Sequence, residues 1–298
     1  MFVSRRTDGD DMISISVIVP FYNTERYIGQ CIESLLNQEY PTERYEIIFI
    51  NNNSTDSSAD IIRRHPRIKL ISERKRGSYT ARNRGLQVAN GEIIAFTDSD
   101  CVPSADWLNK IESATANPDT GIVIGKYQTA RESFLLSMLE DYENEKNNYI
   151  FTSGIKELYY GYTRNMAVRR GLFDEAGPFL ERARGSDVIF IRRCVDRYSC
   201  DIVRYSPDIR VRHMEIDSPG RFFRKLFIYG RSSREYSQVV NARPLTNWER
   251  FQVFRKTARG RGYSWWKTIS LLGLLAVAFS CWVSGTISNA LSFKHRDK

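Results

Sequence analysis

The sequence predicts an α/β protein with a doubly wound, mostly parallel sheet, followed by a basic amphipathic segment and one long apolar helix. Three observations carry this expectation. From Ile15 to Thr97, short β-prone runs alternate with stretches of helical periodicity, the rhythm of repeated strand–helix units. Each β-prone run ends in polar residues, as expected where the carboxyl ends of parallel strands share one binding edge. No residue from Thr268 to Phe293 is charged, a run longer than the roughly 20 apolar residues that a bilayer span needs.

The elements follow in order. "ISVIVP" at 15–20 is the first strand, and "TERYIGQCIESLLNQ" places Ile28, Ile32, Leu35 and Leu36 at helical spacing. "YEIIFI" at 45–50 is the second strand, with a helix over 55–64 after it. "RIKLIS" at 67–72 is the third, with a helix over 78–89, and "EIIAFT" at 92–97 is the fourth. Their polar ends read "PFYN", "NNNSTD", "ERKRGS" and "TDSD". Any one of these is ordinary turn chemistry, but four in register point to a single site.

At 298 residues and 42% hydrophobic content, the chain is long and apolar enough for one large or two small cored domains. Cysteines 31, 101, 194, 200 and 281 form no CxxC pair. Their odd number and scattered spacing argue against a disulfide framework or a structural zinc site, and for a reducing compartment. The opening "MFVSRRTDGDD" has no apolar core of a secretory signal, and Met1 and Met12 both stand as starts. The net charge of +9 is not spread along the chain: between Pro219 and Lys267, twelve Lys or Arg face only Glu235 and Glu249. Basic residues beside an apolar run attract anionic headgroups and bias that flank to the cytoplasm, a membrane signature rather than a nucleic-acid one. Trp265 and Trp266 suit an interfacial belt. The alternative for the apolar run is a buried core helix. Within the basic flank, "RFFRKLFIYG" fits equally an interfacial helix and an amphipathic helix packed on the domain. The expected organisation is a polar extension over 1–13, a catalytic domain over 14–215, a basic membrane-proximal segment over 216–267, a span over 268–290 and a short basic tail over 291–298.

Asp98 and Asp100 stand at the mouth of the fourth strand. Two residues apart in an extended strand they would face opposite ways, but at a terminus the chain turns and both can converge. Hard oxygen donors suit Mg²⁺ or Mn²⁺, which take part of their shell from substrate phosphates. A capped turn before the helix that follows Pro103 and Ser104 is the plainer reading of the same residues.

"SVIVPFYN" at 16–23, "NNNSTDSS" at 51–58, "GSYTARNRG" at 77–85, "FTDSDCVP" at 96–103, "GYTRNMAVRRGLFDEAGPF" at 161–179 and "RGSDVIFIRR" at 184–193 resemble the ordered motifs of the inverting family 2 glycosyltransferases with the GT-A fold. The likeness covers roughly residues 14–213. It implies a nucleotide-diphosphate sugar donor, a saccharide or lipid-linked acceptor, and a Mn²⁺ or Mg²⁺ cofactor. By the same resemblance Pro20 and Tyr22 lie against the nucleobase, Asn52 faces its edge and Arg82 lies near the nucleotide. Asp98 reaches the ribose and a metal-bound water, Asp100 ligates the metal, His213 completes its shell, and Asp187 is the general base. A surface histidine and a helix N-cap are the plain alternatives for His213 and Asp187. Asn51 and Asn52 replace the acidic pair the family usually carries, which weakens a uracil reading, although an Asn carbonyl still accepts a hydrogen bond. Ser186 replaces the usual glutamate before Asp187.

Other classes fit less of the chain. A haloacid-dehalogenase-like phosphatase would use Asp98 as nucleophile, but its motif strand usually opens the fold, and here three strand–helix units come first. A non-catalytic membrane-surface scaffold leaves the acids unexplained. A sugar-nucleotide pyrophosphorylase needs a glycine-rich loop that "PFYNTERY" lacks. The expectation is thus a glycosyltransferase held at the cytoplasmic face of a membrane by a single C-terminal pass.

Overall fold

The structure, a computed structural model, describes residues 14–130, 133–182 and 184–294. The 1–13 extension with both candidate starts, and the tail beyond residue 294, lie outside the described residues.

The chain forms two compact units. One comprises the chain up to Gln128 together with Tyr160–Met214; the other comprises Thr129–Tyr159 and the chain from Glu215 onward. In the first unit the elements are β1 (Ile15–Phe21), α1 (Glu25–Leu36), β2 (Tyr45–Asn51), α2 (Ser58–Arg63), β3 (Ile68–Ser72), α3 (Ser78–Val88), β4 (Ile93–Thr97), β5 (Cys101–Pro103), α4 (Trp107–Thr115) and β6 (Ile122–Thr129). After α5 (Phe134–Thr152), which belongs to the second unit, come β7 (Asn165–Arg169), α6 (Gly171–Ala176), α7 (Ser186–Arg197) and β8 (Val203–His213).

The eight strands form one sheet in the order β3-β2-β1-β4-β7-β6-β8-β5. The first four strands are parallel, with Ile15 opposite Tyr45 and Ile93 in the central register. β1 is buried along its whole length because helices cover both of its faces, which is why it reads as unbroken apolar sequence. On one face Ile15, Val17, Val19 and Phe21 share a core with Ile28, Cys31, Ile32 and Leu35 of α1. Burying each such aliphatic side chain stabilises the fold by about 1.5–3 kcal/mol. On the other face Ile18 meets Gly85 of α3, where a Cβ would come within 2.6 Å of the Ile18 Cγ2. Only glycine lets helix and strand approach so closely.

Beyond β4 the sheet turns antiparallel, as β7 pairs with both β4 and β6, and β5 with β8. The strand–helix rhythm that announced the first four strands stops at Thr97, so this half had no comparable signal. Asn165 holds it together: its amide donates to the carbonyls of Lys126 and Ile209 and accepts from the Trp107 indole at 2.9 Å. Gly125 leaves the room, since a Cβ there would lie 2.3 Å from the Asn165 Nδ2.

The second unit is helical: α5, α8 (Pro219–Ser237), α9 (Asn247–Gly260) and α10 (Trp265–Lys294). A capping box starts α9, with the Thr246 hydroxyl accepting from the Glu249 amide while the Glu249 carboxylate accepts from Thr246. Arg243 grips the same carboxylate with two bonds of 2.8 and 2.9 Å.

Candidate active site

The carboxyl ends of β1, β2 and β3 are tied together by asparagines. Asn23 and Asn53 take up left-handed backbone, with φ of 51° and 68°, just beyond β1 and β2; this conformation favours Asn among non-glycine residues. The Asn23 side chain accepts from the Thr55 amide at 2.8 Å. Asn52 is buried; its Nδ2 donates to the carbonyls of Glu73 and Lys75, and its Oδ1 accepts from the Gly77 amide at 2.8 Å. Its amide is thus spent on shaping the loop into α3. Pro20 is buried at the end of β1, while Tyr22, 49% exposed, presents its ring at the rim.

Past Thr97 the chain makes a turn closed by a bond of 3.0 Å from the Cys101 amide to the Asp98 carbonyl. The turn sends the two carboxylates to different partners. Asp98 accepts from Arg82 at 2.5 Å, and the Arg82 side chain is only 5% exposed. Asp100 faces His213, with 3.5 Å between Oδ2 and Nδ1. The register makes this meeting obligatory, because His213 ends β8 directly opposite Cys101 and the Met214 amide donates to the Asp100 carbonyl.

The start of α3 explains the "ARNRG" run residue by residue. Arg82 reaches Asp98, Asn83 exchanges two hydrogen bonds with the Phe179 backbone, and Gly85 lies on Ile18. The Arg82 Nε is buried and has no hydrogen-bond partner among the described residues. A donor left so in a satisfied interior has the character of a ligand contact.

Asp187 is the second residue of α7, in its first turn, rather than its cap. Gly185, with φ of 79°, occupies the N-cap position, and the Asp187 Oδ1 accepts from the adjacent Val188 amide at 3.0 Å. Burial pushes its carboxyl above the usual range. A hydrogen bond from the Tyr79 hydroxyl, the Arg82 charge and the amides of Val188 and Thr163 pull it partly back. Arg82 therefore acts electrostatically on both Asp98 and Asp187. Tyr79 lies in the "GSYTARNRG" run but has no role assigned from the sequence; the signal is its position three residues before Arg82, on the same helix face.

Asp100, Cys101 and His213 bring their donor atoms within 4.8 Å of one another. The carboxylate fits either Mn²⁺ or Mg²⁺, and the imidazole beside it favours Mn²⁺, the less oxygen-restricted of the two. The Cys101 thiol fits neither: burial and the neighbouring carboxylates push its pKa well up, and it points to the Asp100 Oδ1 at 3.6 Å as a weak donor. Cys31 has its pKa raised by the same causes and points to the Asp98 carbonyl.

Comparison with known proteins decides the family, since the family profile described as "Glycosyl transferase family 2" matches residues 16–177. The chain belongs to glycosyl transferase family 2. Glycosyltransferase AglE of Haloferax volcanii is 30% identical over 188 residues, 61% of each chain. The putative glycosyltransferase EpsH of Bacillus subtilis is 32% identical over 169 residues, 54% of this chain and 48% of that one. The chain thus matches about half to three fifths of the length of these relatives. Mannosyltransferase PcManGT of Pyrobaculum calidifontis, solved with GDP-Man and Mn²⁺, superimposes with a TM-score of 0.59 at 19% identity. The match covers 89% of this chain and 75% of that one, and it establishes the GT-A fold. For this family 2 member the phosphatase alternative falls: Asp98 directly follows the fourth strand of a GT-A sheet, not the strand that opens the fold.

Proposed function

We propose that this chain transfers a sugar from a nucleoside-diphosphate donor to a hydroxyl of a saccharide or lipid-linked acceptor, with inversion, while held at the cytoplasmic face of a membrane by its C-terminal unit. The observation that carries the proposal is the division of labour around α3. Arg82 ties down Asp98 beside the Asp100–His213 pair, and Asp187 is held separately by Tyr79.

In this reading Tyr22 stacks on the nucleobase against Pro20. Asn52 contributes by fixing the loop wall rather than by reading the base edge. Asp98, oriented by Arg82, takes the ribose, and the Arg82 Nε donates to the nucleotide. Asp100 and His213 would hold Mn²⁺ or Mg²⁺, which supplies charge neutralisation for the departing diphosphate. Asp187 takes the proton from the attacking hydroxyl; a carboxyl with a raised pKa is a better base than an ordinary one, provided it is still ionised at working pH. A single displacement opposite the leaving group converts an α-linked donor to a β-linked product.

The test is Asp187→Asn, assayed against a panel of sugar nucleotides with Mn²⁺ or Mg²⁺. Transfer should fall by about 10²–10⁴-fold with donor binding retained. Because the native carboxyl binds its proton more tightly than the unfolded one, it contributes less stability as pH rises past the unfolded value and through the raised native one. At neutral pH the variant should therefore melt no lower than wild type. Normal transfer, or a product of retained configuration, would overturn the mechanism.

A further inference from the structure

The segment Trp265–Ser288 is long and apolar enough to cross a bilayer, but its neighbours within the second unit are unsuited to a crossing. α10 buries Leu271, Ala278 and Gly285, a stripe at seven-residue spacing, and helices that carry charged residues meet it at its start, near its middle and toward its end. At its start, Lys267 sits over the rings of Phe134 and Tyr263, and Arg261 pairs with Asp141 at 2.8 Å. Further along, the Arg250 guanidinium of α9 lies 5.0 Å from the Phe279 ring centroid and 6.0 Å from that of Trp282. At 1.5 Å per residue this is about 21–25 Å from Trp265, most of the way through a hydrocarbon layer of about 30 Å.

Near its end α10 meets α8 backbone to backbone. A Cβ on Gly230 would fall 2.0 Å from the Trp282 carbonyl oxygen, and one on Gly285 2.1 Å from that of Phe227. α8 carries Arg221, Arg224, Lys225 and Arg231. Only residues 214–218 separate β8 from α8, a link reaching roughly 20 Å at full extension. That is too short to pass through the membrane, so α8 stays on the side of the sheet, and the end of α10 stays with α8.

We infer that α10 lies in the plane of the membrane as a monotopic anchor and does not span it. This deepens the membrane attachment proposed above and rests on it. The outward face of α10 carries Trp265, Trp266, Ile269, Leu272, Val277, Phe279 and Ile287, each at least 43% exposed. α9 adds the stacked pair Trp248 and Phe251. The occupant of this surface is the headgroup–acyl boundary of an anionic bilayer, because the same unit carries twelve basic residues against two acidic ones between Pro219 and Lys267. Packing on α8 and α9 gives α10 the polar side that its own sequence lacks.

The experiment uses the full chain with one protease site before Met1 and another after Lys298, synthesised in the presence of sealed phosphatidylglycerol vesicles. An in-plane anchor leaves both sites open to protease added outside. Protection of the C-terminal site until detergent is added, with the N-terminal site cut, would show a span and overturn the inference while leaving membrane attachment intact. Full-length protein that stays in the supernatant would overturn attachment itself, and a stable dimer there would give the apolar face to a second copy. The double variant Ile269→Glu, Val277→Glu should bind the vesicles at least about tenfold more weakly with sugar transfer in detergent unchanged. Undiminished vesicle binding would mean that this face is not the contact.

Discussion

Tyr79 shows how a residue given no role of its own within the "GSYTARNRG" run comes to hold the candidate base. Its ring packs 5.5 Å from that of Phe179 and lies under the Arg82 guanidinium, so its hydroxyl is held where it donates to Asp187. A hydrogen bond to a charged group stabilises that charge by about 1.5–3 kcal/mol. We predict that Tyr79→Phe raises the Asp187 pKa further, because the ionised form loses a donor. The acidic limb of the pH–rate profile should move to higher pH, with activity recovered at alkaline pH and donor affinity little changed. Superimposable profiles would reduce Tyr79 to a packing residue. Asp98 and Asp100 stand out in the sequence as paired carboxylates at the mouth of an apolar strand, whereas Asp187 is singled out by the family resemblance. The role of Tyr79 was not legible, because a tyrosine in the first turn of a helix reads as core. Asn52 gives the converse case, a polar residue in a ligand-like position whose amide goes to backbone.

Between elements, the contact of α3 with β1 sets the reach of Arg82. Adding one methyl at Gly85→Ala forces the helix off Ile18. Overpacking of this kind costs about 1–3 kcal/mol, and it should also loosen the Arg82–Asp98 pair. The expected result is a lower melting temperature together with weaker donor binding, both partly restored by Ile18→Ala. A variant that melts lower but binds donor normally would separate the packing from the site. The parallel strands β1–β4 were readable because strands buried on both faces leave continuous apolar runs with polar ends. The antiparallel half was not. β7 and β8 are specified by long-range partners such as Asn165 and Gly125, and β8 alternates apolar and polar residues with charges throughout. The partnership of Asp100 with His213, 113 positions apart in sequence, depends on that half and came only with the family resemblance.

For the whole molecule, the cation requirement is the sharpest expectation. If Asp100 and His213 hold a divalent ion, excess chelator should abolish donor turnover and added Mn²⁺ should restore it. Asp100→Asn should raise the Mn²⁺ concentration needed for half-maximal rate, with the melting temperature of the metal-free protein little changed. Undiminished turnover in chelator would rule out the ion's role. The domain expected as a continuous 14–215 contains within it a helix, α5, that belongs with α8–α10. Nothing in the local pattern of α5 reveals this, because its apolar residues specify burial and not the partner. The interleaving bears on how the chain is made. During synthesis α5, with Leu136, Met138, Leu139 and Tyr142 among its buried residues, leaves the ribosome before α9 and α10, which pack on it, have been made. α9 begins only at Asn247, so at translation speeds of about 5–20 residues per second the wait lasts roughly 5–20 s. For that interval the nascent polypeptide displays an uncovered apolar stripe, a natural client for a ribosome-associated chaperone.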